Sequence, residues 1–111
     1  MAARNRMVAA TRIDFDAASL TVNYQEMNVT GLSTDAQIFK MLNNSNVGVD
    51  VSYDGIEPND FIVPGGSFVL DFTANAQEER AAFVKGQKIW LKAASAGAGT
   101  IYATGYSQRR Q

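Results

Sequence analysis

Residues 43–72 read NNSNVGVDVSYDGIEPNDFIVPGGSFVLDF, a run of strand, turn, short strand, turn and strand. Val47, Val49, Val51 and Tyr53 alternate with Gly48, Asp50 and Ser52, the period-2 pattern of a half-buried β-strand. Asp54-Gly55 breaks that run, Phe61-Ile62-Val63 resumes it, and Pro64-Gly65-Gly66 turns the chain into Phe68-Val69-Leu70-Asp71-Phe72. Such punctuation builds an antiparallel framework and leaves little room for long helices. A tight two-residue hairpin at Asp54-Gly55 would put Pro58 inside the returning strand, where it has no N–H for the ladder. The reading is therefore a longer loop over residues 54–60, with Gly55 at positive φ.

Outward from this stretch the same texture continues. Thr11-Arg12-Ile13-Asp14-Phe15 alternates weakly and reads as a first strand. Residues 19–24 alternate well, with Leu20, Val22 and Tyr24 on one face, and Met27-Asn28-Val29 suggests a short pairing. Residues 36–42 fit helical spacing at Ile38, Met41 and Leu42, but also alternate; the surrounding pattern favours a strand ending in a turn at Asn43-Asn44-Ser45-Asn46. Residues 75–84 hold good helix formers, and either a helical turn or a mobile loop satisfies them. Residues 87–92 and 100–106 are two further strands around a small, Gly-rich tip at residues 94–99. The expected fold is all-β: an antiparallel sandwich or jelly-roll-like barrel of about seven to eight short strands. Residues 1–7 read as a flexible arm, 8–107 as a single domain and 108–111 as a flexible tail.

Composition narrows the chemistry. At 111 residues, with 46% hydrophobic and 19% charged side chains, the chain suits one globular core. It has no cysteine and no histidine, which removes disulfides, thiolate nucleophiles and the side chain most used for proton transfer near neutral pH. Residues 7–10 are too short a run for a secretory signal, so the chain reads as made in the cytoplasm and soluble. Net charge is −1, but setting aside Arg4, Arg6, Arg109 and Arg110 leaves six basic residues against eleven acidic. Four terminal arginines form no nucleic-acid patch, and nucleic acid is not an expected partner; nor is a membrane.

Ser52, Tyr53 and Thr73 have no histidine to activate them. Asp50, Asp54, Glu57 and Asp60 gather around one loop, but their spacing fails the helix–loop–helix calcium pattern, and no metal or cofactor is expected. Gly97-Ala98-Gly99 lacks the third glycine and following helix of a phosphate loop. Several strands are apolar on both faces, among them Ile89-Trp90-Leu91 and Ile101-Tyr102-Ala103. A domain of this size has one interior, so Trp90, Tyr102 and Tyr106 are candidate residues of a homo-oligomer or partner interface. The same aromatics could serve instead as a stacking platform for a sugar. Asp54, Gly55, Pro64, Gly65 and Gly66 are the turn-defining residues.

One resemblance adds to this. Val51-Ser52-Tyr53-Asp54-Gly55, then Ile62-Val63-Pro64-Gly65-Gly66, then Gly99-Thr100-Ile101-Tyr102-Ala103-Thr104-Gly105-Tyr106 resemble a group of small all-β virion proteins of tailed bacteriophages. The similarity spans roughly residues 36–107. It implies a non-enzymatic assembly role in many copies, as a capsid-decorating, collar or head–tail-joining protein made in the host cytoplasm. Implied partners are capsid, portal or tail proteins. A carbohydrate-binding sandwich of a phage fibre or surface protein is the alternative.

Overall fold

The computed structural model describes residues 5–28, 31–71 and 83–110. Nine strands lie within them: β1 (Asn5–Ala9), β2 (Ile13–Asp16), β3 (Gln25–Glu26), β4 (Ile38–Ser45), β5 (Val49–Ser52), β6 (Asp60–Ile62), β7 (Ser67–Asp71), β8 (Trp90–Lys92) and β9 (Gly99–Arg110). One sheet runs β1-β9-β4-β7, with β2 also on β9; the other runs β3-β8-β5-β6. Every pairing is antiparallel. The all-β sandwich read from the sequence is the observed architecture. We term the β9-centred layer the long sheet and the other the short sheet.

Alternation places the core. From the long sheet, Phe39 and Met41 of β4 and Ile101 and Ala103 of β9 point inward and are buried. From the short sheet, Val49, Val51, Ile62 and Leu91 meet them, with Ile89, Leu20 and Leu32 closing the sides. Phe39 stacks edge-on against Phe83 at 5.2 Å, and Phe83 lies 5.1 Å from Tyr53, so an aromatic row links the two layers.

Both sheets are also tied through one polar residue. Asn43 is fully buried on β4, and its side-chain amide donates to the carbonyls of Val47 at 2.8 Å, Ile62 at 3.1 Å and Val63 at 3.2 Å. Its Oδ1 accepts from the Ser45 hydroxyl, and its backbone carbonyl accepts from Gly65 N–H at 2.8 Å. Asn28 makes a similar tie within the short sheet, joining the end of β3 to the approach to β8 by donating to the Gln87 carbonyl and accepting from Ile89 N–H.

The structure corrects several expectations. Asn43 to Ser45 continue β4 and do not turn, because Asn43 finds inside the sandwich the hydrogen bonds that asparagine usually makes locally in turns. Residues 19–24 are not a strand. Asp16 caps a short 3-10 turn over Ala17–Ser19, Leu20 is buried and Val22 is 65% exposed, so the apolar alternation there is incidental. Within the expected arm over residues 1–7 and tail over 108–111, the described residues 5–7 and 108–110 are paired: Asn5–Ala9 run against β9, with Asn5 opposite Arg110. Each end supplies the other's backbone partners, a relation that no local pattern reveals. From Ala9 to Ile13 the chain advances four positions while its partner moves three, from Tyr106 to Ala103. That extra residue is a bulge, and it makes β1 and β2 one interrupted strand along β9. The helix-or-loop question at residues 75–84 falls largely outside the described residues.

Both turns of the opening stretch behave as read. Gly66 N–H donates to the Val63 carbonyl at 2.9 Å and Gly65 has φ 76°, a type II turn with Pro64 and Gly65 at its centre. Between β5 and β6, Gly55 has φ 78°, and a Cβ built there would lie 3.0 Å from Trp90 Cε2. Gly55→Val should therefore cost about 2 kcal/mol, combining backbone strain with displacement of the indole. Chemical denaturation checks this, and an unchanged midpoint would refute the arrangement.

Candidate functional site

The outer faces of the two sheets carry the side chains that the core does not use. On the long sheet the outward positions of β9 are Thr100, Tyr102, Thr104 and Tyr106; those of β4 are Ile38, Lys40 and Leu42. Leu42 lies opposite Tyr102 and Ile38 opposite Tyr106, while β7 adds Val69 beside Lys40. Leu42 is 42% and Val69 60% exposed. Arg12 stands over the Tyr102 ring at 5.0 Å and Lys40 over the Tyr106 ring at 5.4 Å. Arg12 is also held bidentately by Asp14, at 2.7 and 3.0 Å. Between these groups lies an open hollow of about 440 Å³, lined by Arg12, Lys40, Leu42, Val69, Tyr102 and Thr104 among others.

Trp90 is elsewhere. It pairs with Ser52 on the short sheet, next to fully buried Leu91, and so faces outward on the opposite side of the sandwich from Tyr102 and Tyr106. Its indole covers Gly55. The three aromatics read from the sequence are thus two groups: Tyr102 and Tyr106 share one face, and Trp90 belongs to the other. Around Trp90 the short sheet presents Lys92 over the Tyr24 ring at 4.6 Å, and Lys88 bonded to Glu26 at 3.2 Å.

The acidic loop is held by its own backbone. Asp54 Oδ1 accepts from Ile56 N–H at 2.8 Å, from Glu57 N–H at 3.0 Å and from the Ser52 hydroxyl at 2.8 Å. The Glu57 and Ile56 amides, with the Ser52 hydroxyl, hold the Asp54 carboxyl below its usual range, so it stays ionised. Asp60 accepts from the Tyr53 hydroxyl at 2.6 Å. Among the described residues no group of three or more His, Cys, Asp or Glu side chains could hold a metal ion.

Burial, and then the bond to Asp60, push the Tyr53 phenol well above the ordinary tyrosine range. The folded state thus favours the neutral phenol. The resulting stabilisation is complete below the unfolded value of about 10 and is lost as pH rises beyond it. Wild type should lose stability above about pH 10 more steeply than Tyr53→Phe, measured as denaturation midpoint against pH. Parallel curves would contradict this.

The sequence pattern failed to flag Arg12 and Lys40 because their role depends on which strands become neighbours. Alternation around Tyr102 was the one available signal.

No family model matches the chain, and no curated protein matches it. Among solved structures it is similar to the Dit protein of phage SPP1, described as a paradigm of the hub adsorption apparatus in phages that infect Gram-positive hosts. The identity is 14% and the TM-score 0.40, and the likeness covers 91% of this chain and 49% of that one. The chain spans about half the length of that protein.

Proposed function

We propose that this protein is a non-enzymatic structural component of a tailed-bacteriophage particle. It assembles in multiple copies, on the capsid or at the head–tail junction, by contacts with its own copies and with other virion proteins. The observation that carries this reading is the outer face of the long sheet, where the Leu42–Tyr102 and Ile38–Tyr106 pairs, with Val69 beside Lys40, set apolar and aromatic side chains on either side of the Lys40–Thr104 row. Such a face favours association, at roughly 1.5–3 kcal/mol for each large apolar side chain fully buried. The resemblance of its strand and turn order to that of small phage virion proteins supports the same role.

Tyr102→Glu would be a poor probe, because Arg12 above the ring would neutralise the new carboxylate. Leu42→Lys is better: the face already holds Arg12 and Lys40, so an added cation is solvated in a monomer and excluded from a contact. Light scattering should give wild type a mass above 12.0 kDa, or show it bound to purified heads or tails, with Leu42→Lys reducing either signal. A wild-type mass of 12.0 kDa at high concentration, together with no particle binding, would overturn the proposal.

A glycan-binding sandwich is the second reading, favoured by the hollow beside Tyr102. Against it, the Tyr102 and Tyr106 rings each carry a cation, and the Trp90 ring carries the Gly55 backbone. Binding of glycans by the isolated protein would promote it.

A further inference from the structure

We propose that the hollow on the long sheet receives the loop at residues 54–57 of a second copy, with Ile56 inserted and Glu57 beside Lys40. This contact deepens the assembly reading and rests on it.

The hollow is lined by apolar Leu42 and Val69 and by Tyr102, together with the cations Arg12 and Lys40. Arg12 is already engaged by Asp14, whereas Lys40 is in no ion pair among the described residues. Its fitting occupant is an apolar side chain presented beside negative charge. The described residues expose eight large apolar side chains: Met7, Val22, Leu42, Ile56, Phe61, Val63, Val69 and Val84. Leu42 and Val69 belong to the hollow itself. Met7 follows Arg6 and Val84 precedes Lys85, the wrong sign, while Val22 and Val63 have uncharged neighbours. Phe61 follows Asp60, but the Phe61 ring lies close against Gly48.

Ile56 remains. It is 75% exposed, the most open of the eight, and sits between Asp54 and Glu57. It is also held in place, since Asp54 Oδ1 binds the Ile56 and Glu57 amides and fixes the tip of the loop. A tip ordered before contact loses little conformational freedom on docking. The loop joins β5 and β6 of the short sheet, and the hollow opens on the outer face of the long sheet across the core. One molecule cannot fill its own hollow. The contact is therefore head-to-tail, and repetition closes a ring or extends a filament.

Sedimentation velocity on the whole chain, across protein concentrations and at low and high salt, tests this. Wild type should associate, and less so in high salt. Ile56→Ser should raise the concentration needed for association by about tenfold or more. Lys40→Glu and Glu57→Lys should each weaken association alone. Their equimolar mixture should restore it, because each supplies the surface that the other's altered group requires. Restoration also shows that both variants are folded. Association that ignores Ile56→Ser, or no restoration on mixing, overturns this contact while leaving the assembly reading standing. Wild type that stays monomeric throughout overturns the contact as well, and if it also binds no particles the assembly reading falls with it.

Discussion

Replacing Asn43 with leucine should destabilise the protein by about 2–3 kcal/mol, although the two side chains are similar in size. The amide serves the carbonyls of Val47, Ile62 and Val63, and Oδ1 serves the Ser45 hydroxyl, all around a fully buried residue. With leucine the Val63 carbonyl keeps the Gly66 N–H and the Val47 carbonyl keeps the Ser45 hydroxyl, but the buried bond to Ile62 is lost outright, and each buried polar group without a partner costs about 1–3 kcal/mol. Two amide hydrogens are shared among three carbonyls, so the total is nearer two full bonds than three. Asn43→Asp should be worse than leucine at neutral pH, because a carboxylate would confront three carbonyl oxygens. Urea denaturation with unchanged slope checks both variants. A loss below 1 kcal/mol for leucine would mean that water takes over the role of the amide.

Phe39→Ala is the second large effect, at about 3–5 kcal/mol. Phe39 is completely buried at the centre of the long sheet, paired with Leu70 on β7 and Gly105 on β9. Its ring contacts Phe83 edge-on and lies 6.5 Å from Phe68. With β9 on one side and β7 on the other, the backbone of β4 cannot sink into the vacated space, so the cavity persists. A fall of roughly 15 °C or more in melting temperature is expected, given about 4–8 °C per kcal/mol in a domain of this size. Phe39→Leu should lose much less, since it keeps most of the filled volume.

Legibility in the sequence followed the range of the interactions. The Pro64-Gly65 turn and the positive φ of Gly55 are set within a few residues, and both were visible there. So was the strand character of β4, once its alternation was weighed against the helical spacing of Ile38, Met41 and Leu42. Asn43 misled because its partners at Ile62 and Val63 lie some 20 positions away, while its neighbours are the polar residues of an ordinary turn. Residues 19–24 misled in the opposite way, with good alternation but no neighbouring strand to use it. For the candidate site, the outward tyrosines were legible from the period of β9. That Trp90 faces away from them was not, because which sheet a strand joins is a matter of topology.

The pairing of β1 with β9 bears on how the protein reaches its fold. Asn5 meets Arg110, so during synthesis β1 has no partner until β9 has emerged. Closing so long a loop gives no reward until the contact is complete, and chains dominated by distant pairings of this kind fold in milliseconds to seconds. Until then β9 has an open edge, and the matching strand of a neighbouring nascent chain could occupy it. Crowded synthesis of many copies would therefore set a race between closing the molecule on itself and exchanging β1 with a neighbour.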